Sequence, residues 1–117
     1  MNKDELKKRT KKFALDIIFF LKSVKQNSIS QVIFNQLLRS ATSIAANYRA
    51  ACRAKSKADF IYKIAIVEEE ADESLFWLEL LNEGEIVISE RLIILIKEAN
   101  ELTAIFTSIR KTSRENG

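Results

Sequence analysis

The chain has no histidine and no proline, only two glycines and a single cysteine. Each shortage excludes something. Without histidine, neither a Ser-His-Asp nor a Cys-His arrangement can be assembled. The Glu-x-x-His pairs that hold two metal ions inside helical bundles are equally out of reach. With no proline and glycine only at Gly84 and Gly117, the turns that a sheet protein needs between its strands are missing. Cys52 has no partner for an internal disulfide, which fits a reduced, cytoplasmic setting. Long apolar runs are absent too. The longest, Ile17 to Leu21 and Leu92 to Ile96, fall far short of the roughly 20 residues that span a bilayer. The basic start, with Lys3, Lys7, Lys8 and Arg9, leads to Asp16 rather than to a small-residue cleavage site, so no signal peptide is expected. There is no glycine-rich phosphate loop. Together these absences point away from an enzyme, and no catalytic residue, cofactor or metal ligand is assigned.

What is present is helical. The 117 residues, 47% hydrophobic and 30% charged, suit one domain with one core. Three polar breaks divide them: Gln26-Asn27-Ser28, Lys55-Ser56-Lys57 and Asn82-Glu83-Gly84-Glu85. Ser56 and Asp59 have the spacing of a capping box, and Ser89 can cap a last helix. The pattern predicts helices over 4–25, 30–54, 57–82 and 89–111, with a frayed tail over 112–117. Short connections make successive helices antiparallel neighbours, so the expected fold is all-α, an up-down-up-down four-helix bundle over residues 1–117. Helical periodicity gives four core stripes. They are Leu6, Phe13, Ile17, Phe20, Leu21 and Val24; Ile33, Phe34, Leu37, Ala41, Ile44 and Tyr48; Phe60, Ile64, Val67, Ala71, Leu75 and Leu78; and Leu92, Leu95, Ile96, Ala99, Leu102 and Phe106.

More apolar residues remain than one core uses. Leu15, Ile18 and Phe19 point away from the first stripe, and Ile94 and Ile105 from the fourth. Tyr62, Ile66, Phe76, Trp77 and Leu80 do the same on the third helix, with Glu69 and Glu73 among them. Monomers rarely expose so much large apolar surface, and Trp and Tyr are favoured interface anchors. Self-association is therefore expected, with Leu15, Phe19, Tyr62, Ile66, Phe76, Trp77 and Leu80 as interface candidates. The alternative is that some of them merely flank a wide core face.

Charge is uneven. Residues 1–25 hold eight Lys/Arg against three acids, residues 39–63 six against one, and residues 64–101 two against eleven. Arg39, Arg49 and Arg53 project within about 80° of one another on the second helix, and Lys8, Lys11 and Lys22 share a face of the first. Side by side, these faces make a positive surface suited to a phosphate backbone. The alternative is a solvated face whose cations pair with the acidic helix of a neighbour. The run from Glu68 to Glu73 reads as a solvated or interfacial acidic face. Cys52, near the second stripe, reads as a small buried hydrophobe or a reactive thiol. Ser40, Ser43 and Asn47 share a side with Ala50 and Ala54, where another helix could approach closely. Ser43 and Asn47 are expected to be buried and bonded to a carboxylate such as Glu70 or Glu73.

Four ordered segments carry a resemblance. They are Leu37 to Arg49 (LLRSATSIAANYR), Arg53 to Phe60 (RAKSKADF), Glu69 to Glu79 (EEADESLFWLE) and Glu98 to Ile105 (EANELTAI). Over roughly residues 6–112 the chain resembles the bacterial four helix bundle proteins, which include proteins encoded in intervening sequences of large-subunit ribosomal RNA genes. It is also similar to the accessory variability protein of diversity-generating retroelements. The resemblance implies a closed homopentamer of four-helix protomers. From the retroelement relative it implies a basic surface for nucleic acid and a reverse transcriptase as partner. It supplies no catalytic residues. Arg39, Arg49 and Arg53 match basic positions of the motif. Ala50 departs from it, since many relatives carry Glu after the Tyr-Arg pair. The reading is a non-enzymatic homo-oligomeric binding module for structured RNA or an RNA–DNA hybrid, with Lys8, Lys11, Lys22, Arg39, Arg49 and Arg53 as candidate contacts. The alternative is a structural or protein-interaction scaffold without nucleic acid.

Overall fold

Every helix begins where a short polar side chain turns back on the backbone. The first N–H groups of a helix have no partner of their own, and a cap that supplies one contributes about 1 kcal/mol. In the computed structural model, which describes residues 1–116, Asn2 accepts from Glu5 N at 2.9 Å and opens α1 (Lys3–Ser23). Asn27 accepts from Ser30 N at 2.9 Å while Ser30 Oγ accepts from Asn27 N at 2.8 Å, a full capping box that opens α2 (Ser28–Ala51). Ser56 accepts from Asp59 N at 3.0 Å and opens α3 (Lys57–Glu83). Asp59 returns the bond to Lys55 N, one residue short of a regular box. Ser89 accepts from Arg91 N at 3.2 Å and opens α4 (Glu90–Glu115).

The four helices pack as a bundle, without strands among the described residues. α1 packs against α2 and α4, and α3 against the same two, leaving α1 across the diagonal from α3. The expected stripes form the core: Phe13, Ile17, Phe34, Leu37, Ile44, Ile64, Val67, Leu78, Leu92, Leu102 and Phe106 are all sealed from solvent. Val24, Ile33, Phe60, Leu75 and Ile96 are half-buried at its margin. Tyr48 and Phe106 meet across the core with ring centroids 5.3 Å apart. Two boundaries differ from expectation by more than two residues. α2 ends at Ala51 rather than residue 54, in two tight i→i−3 bonds from Arg53 N to Ala50 O and from Ala54 N to Ala51 O. α4 continues through Glu115, so residues 112–115 of the expected frayed tail are helical. Gly117, the last residue of that tail, lies outside the described residues.

The end of α3 shows a local conflict. Ile86 N bonds to Leu81 O and Glu85 N to Asn82 O, the paired bonds of a Schellman stop, which calls for a left-handed residue just after the helix. That residue is Glu85, at φ 53°, and not the adjacent glycine. Gly84 serves close approach instead: a Cβ there would lie 2.8 Å from the Leu80 carbonyl oxygen.

Between α2 and α3 the contact is close because the facing residues are small. Ala41, Ala71, Ser40 and Ser74 are completely buried. Ser74 Oγ lies 2.8 Å from Ser40 Oγ, which in turn donates to Leu37 O. The close polar contact expected at Ser43 and Asn47 therefore occurs at Ser40, with another serine as its partner. The α1–α4 seam is the loosest, and a charged fork spans it. Arg9 reaches Glu98 at 2.7 and 2.8 Å and Glu101 at 3.0 Å.

These features give two expected outcomes. Ser74→Ala should cost about 1 kcal/mol for the lost bond, and Ser74→Leu about 1–3 kcal/mol more, from overpacking. Urea midpoints distinguish them, and a harmless leucine would show that α2 and α3 are not held close. Glu85→Gly should raise the thermal midpoint. Relief of the left-handed strain, about 1–2 kcal/mol, exceeds the added unfolded-state entropy of about 0.4–1 kcal/mol.

Candidate nucleic-acid interface

Antiparallel pairing of α1 and α2 sets the first half of α1 beside the second half of α2. Residues four apart share a helix face, so Lys7 and Lys11 line up on α1, and Ala45, Arg49 and Arg53 line up along α2. Alanine at 45 and 46 keeps the floor low between them. The result is an open groove of about 360 Å³ with Lys7, Lys8 and Lys11 on one wall, Arg49 and Arg53 on the other, and Ala45 and Ala46 beneath. Among the described residues, Lys8, Lys11, Arg49 and Arg53 have no carboxylate within ion-pair distance, and Lys7 has only the exposed Asp4 at 3.5 Å. A concave surface with uncompensated positive charge on both sides focuses potential on an anionic ligand.

Two of the six expected contacts lie elsewhere. Arg39 shares a helix face with Arg49 and Arg53 by angular spacing, but its guanidinium reaches across to α3, onto Glu70 at 3.2 Å and Glu73 at 2.6 Å. Burial works against the Glu73 carboxylate, but bonds from Arg39 and Trp77 outweigh it and hold the group below the ordinary glutamate range. The bond to Glu73 likewise raises the Arg39 guanidinium further. Its charge is thus already matched within the protomer. Lys22 lies toward the far end of α1, beside a separate apolar hollow formed by Ile18, Leu21, Phe34 and Leu38. Lys8, Lys11, Arg49 and Arg53 are the ones brought together. Lys7, the missed wall residue, carries a readable signal in its four-residue spacing from Lys11.

The other candidate residues are placed as follows. Asn47 and Ser43 are half-buried and bond to each other, with Asn47 Nδ2 donating to Ser43 O at 2.9 Å and to its Oγ at 2.8 Å. No bond joins them to Glu70 or Glu73, which Arg39 occupies. Of the acidic run, Glu68 takes Arg110 of α4 at 2.5 Å, while Glu69 and Asp72 face solvent. Among the described residues no three carboxylates or thiols converge as metal ligands, and no helix is long and apolar enough to cross a membrane. Cys52 is half-buried against the core. Burial and this neighbouring thiol push the Tyr48 phenol well above its usual range.

Of the surplus apolar residues, Ile94 on α4 is also exposed, and the seven interface candidates fall into two groups. Leu15 and Phe19 on α1 are 41% and 52% exposed, and Tyr62 and Phe76 on α3 are 65% and 49% exposed. Ile66, Trp77 and Leu80 are half-buried. Trp77 packs against the core and meets Phe76 in a T-shaped contact, while its indole N–H donates to Glu73. Since α1 and α3 occupy diagonal corners, the two groups lie on opposite sides of the bundle.

Comparison with known proteins bears on the whole chain. Among curated proteins, none matches it. A solved structure of a protein with unknown function from the S23 ribosomal protein family of Bacteroides thetaiotaomicron is similar, with a TM-score of 0.82 and 35% identity, covering 95% of this chain and 99% of that one. The family model described as 23S rRNA-intervening sequence protein matches residues 2–108. With nearly the full length matched and the same bundle in a relative at this identity, the chain belongs to the 23S rRNA-intervening sequence protein family.

Proposed function

We propose that this protein is a non-enzymatic, cytoplasmic homo-oligomer that binds structured RNA or an RNA–DNA hybrid through the α1–α2 groove. One observation carries the reading: five cations line a concave surface, and four of them, Lys8, Lys11, Arg49 and Arg53, meet no carboxylate of the described residues. Phosphates are the ligand that such a groove suits. Its floor is alanine and its lining includes no aromatic ring, so stacking of bases on a ring is not built in, and binding is expected to follow the backbone. The family's link to 23S rRNA intervening sequences supports RNA as the ligand. The resemblance to the retroelement accessory protein adds a reverse transcriptase as a protein partner.

Exposed apolar groups on opposite sides of the bundle support self-association of a particular kind. Two different patches meeting between copies make a head-to-tail contact, and such contacts close into rings when the rotation allows. The resemblance sets the number at five. A scaffold without nucleic acid is the second reading. Exposed Glu69 and Asp72 favour it, because a neighbour's α3 could neutralise the basic groove.

Light scattering on a gel-filtration column should report about five times the protomer mass of 13.4 kDa. Phe19→Glu, or Phe76→Glu on the opposite side, should shift the protein to smaller species without loss of helix content. A wild-type monomer at micromolar concentration would overturn the assembly. In fluorescence anisotropy, hairpin RNA and an RNA–DNA hybrid should bind with strong salt dependence. The combined Lys8→Glu, Lys11→Glu, Arg49→Glu and Arg53→Glu variant should lose binding but keep its oligomeric state. No binding tighter than ~10 μM at low salt, where non-specific basic binders normally register, would leave the scaffold.

A further inference from the structure

The charges of this chain are sorted along the bundle axis. When each helix is divided near its middle, the half that contains the α2–α3 turn comprises residues 1–12, 40–69 and 103–116. It holds fourteen of the 19 Lys/Arg against six of the 16 acids, and the opposite half holds five against ten. Ion pairing sharpens the contrast. In the basic half Arg9, Lys12, Lys63 and Arg110 have carboxylate partners at 3.1 Å or less. Lys8, Lys11, Arg49 and Arg53 of the groove have none among the described residues, and neither do Lys55, Lys57, Lys111 or Arg114.

Chain adjacency and one contact link these last four to the end of the bundle where the groove stops. Arg53 is both the final residue of the groove wall and part of the turn after α2. Lys55 follows two residues later and Lys57 begins α3. The Lys57 ammonium donates to the Asn116 carbonyl oxygen, which ties the start of α3 to the end of α4. That contact brings Lys111 and Arg114, both exposed on the last turns of α4, to the same end of the bundle. The bundle is 23 by 20 Å in cross-section, wide enough for a duplex laid across its end to present several successive phosphates.

We propose that the phosphate-binding surface runs out of the α1–α2 groove and over the α2–α3 end of the bundle, carrying a sugar–phosphate backbone from Lys8, Lys11, Arg49 and Arg53 onto Lys55, Lys57, Lys111 and Arg114. The inference rests on the nucleic-acid reading of the groove and adds a polarity to it. Ligand engages one end of the bundle, and the other end, where acids outnumber bases two to one, repels it. In a ring of protomers pointing the same way, the eight cations of each would repeat around one rim.

The test is the salt dependence of a labelled RNA hairpin binding to three full-length variants whose circular dichroism and oligomeric state match the wild type. Each phosphate contact contributes about 0.9 to the slope of log K against log salt on a duplex. Replacing Lys55, Lys57, Lys111 and Arg114 together with Gln should flatten the slope by about 3–4 for each engaged protomer. The same variant should weaken binding more than about tenfold at moderate salt. Replacing Lys22, Lys25 and Lys97 with Gln in the opposite half should change the slope by less than about 1. If the groove variant with four Glu substitutions loses binding while the end variant keeps the wild-type slope, the end surface is wrong and the groove stands. If the opposite-half variant flattens the slope as much as the end variant does, net charge and not a local surface is responsible, and the inference fails. If wild-type protein binds no hairpin, the groove reading falls and this inference with it.

Discussion

Each helix carries an apolar stripe wider than one neighbour can cover, so each must sit between two others. That requirement arranges the chain as a closed square with α1 opposite α3, and the arrangement decides which polar faces meet. α3, the acidic helix, lies between α2 and α4, and it takes one arginine from each: Arg39 on Glu70 and Glu73, Arg110 on Glu68. The first half of α1, rich in lysine, adjoins the part of α2 that has no acid at all. Positive charge therefore accumulates along that seam, because α1 lies diagonally across from the acidic helix and α2 carries no acid of its own.

The ion pairs act more as sorting devices than as sources of stability. Exposed pairs contribute little in water, and the Arg39 side chain is itself more than half exposed. Their effect is to remove particular charges from the pool available to a ligand. Arg39 and Arg49 show the difference: both are exposed arginines on one helix, but only Arg39 has a carboxylate within reach. A nucleic-acid surface in this fold is defined by subtraction, from the cations that the protein's own acids leave unmatched.

The legibility of these features in the amino-acid sequence follows the range of the interactions. Core stripes depend on a local period of 3.6 residues, and Phe13, Ile44, Val67 and Leu102 could be placed without knowing the neighbours. Caps at Ser56 and Ser89 are also local. Arg39 could not be placed, because an angular position on a helix does not say which side chain across the seam will capture a long, flexible arginine. For the same reason Ser40 and not Asn47 was hidden as the close contact. Both lie on one side of α2, and the relative height of α3 selects the serine, a quantity that no single-helix pattern contains. The helical extension through Glu115 was obscured by polar composition alone.

The topology also distributes rigidity. Three of the four seams join helices that follow one another in the chain, so their contacts close short loops. The α1–α4 seam closes a loop of nearly the whole chain, with a larger entropic cost, and it is the most loosely packed, bridged by the Arg9 fork. Opening there is the least expensive sub-global excursion available to the fold. Amide hydrogens of α1 then exchange with solvent ahead of those in the α2–α3 hairpin, so one wall of the basic groove belongs to the most rigid unit of the molecule and the other to its most labile helix.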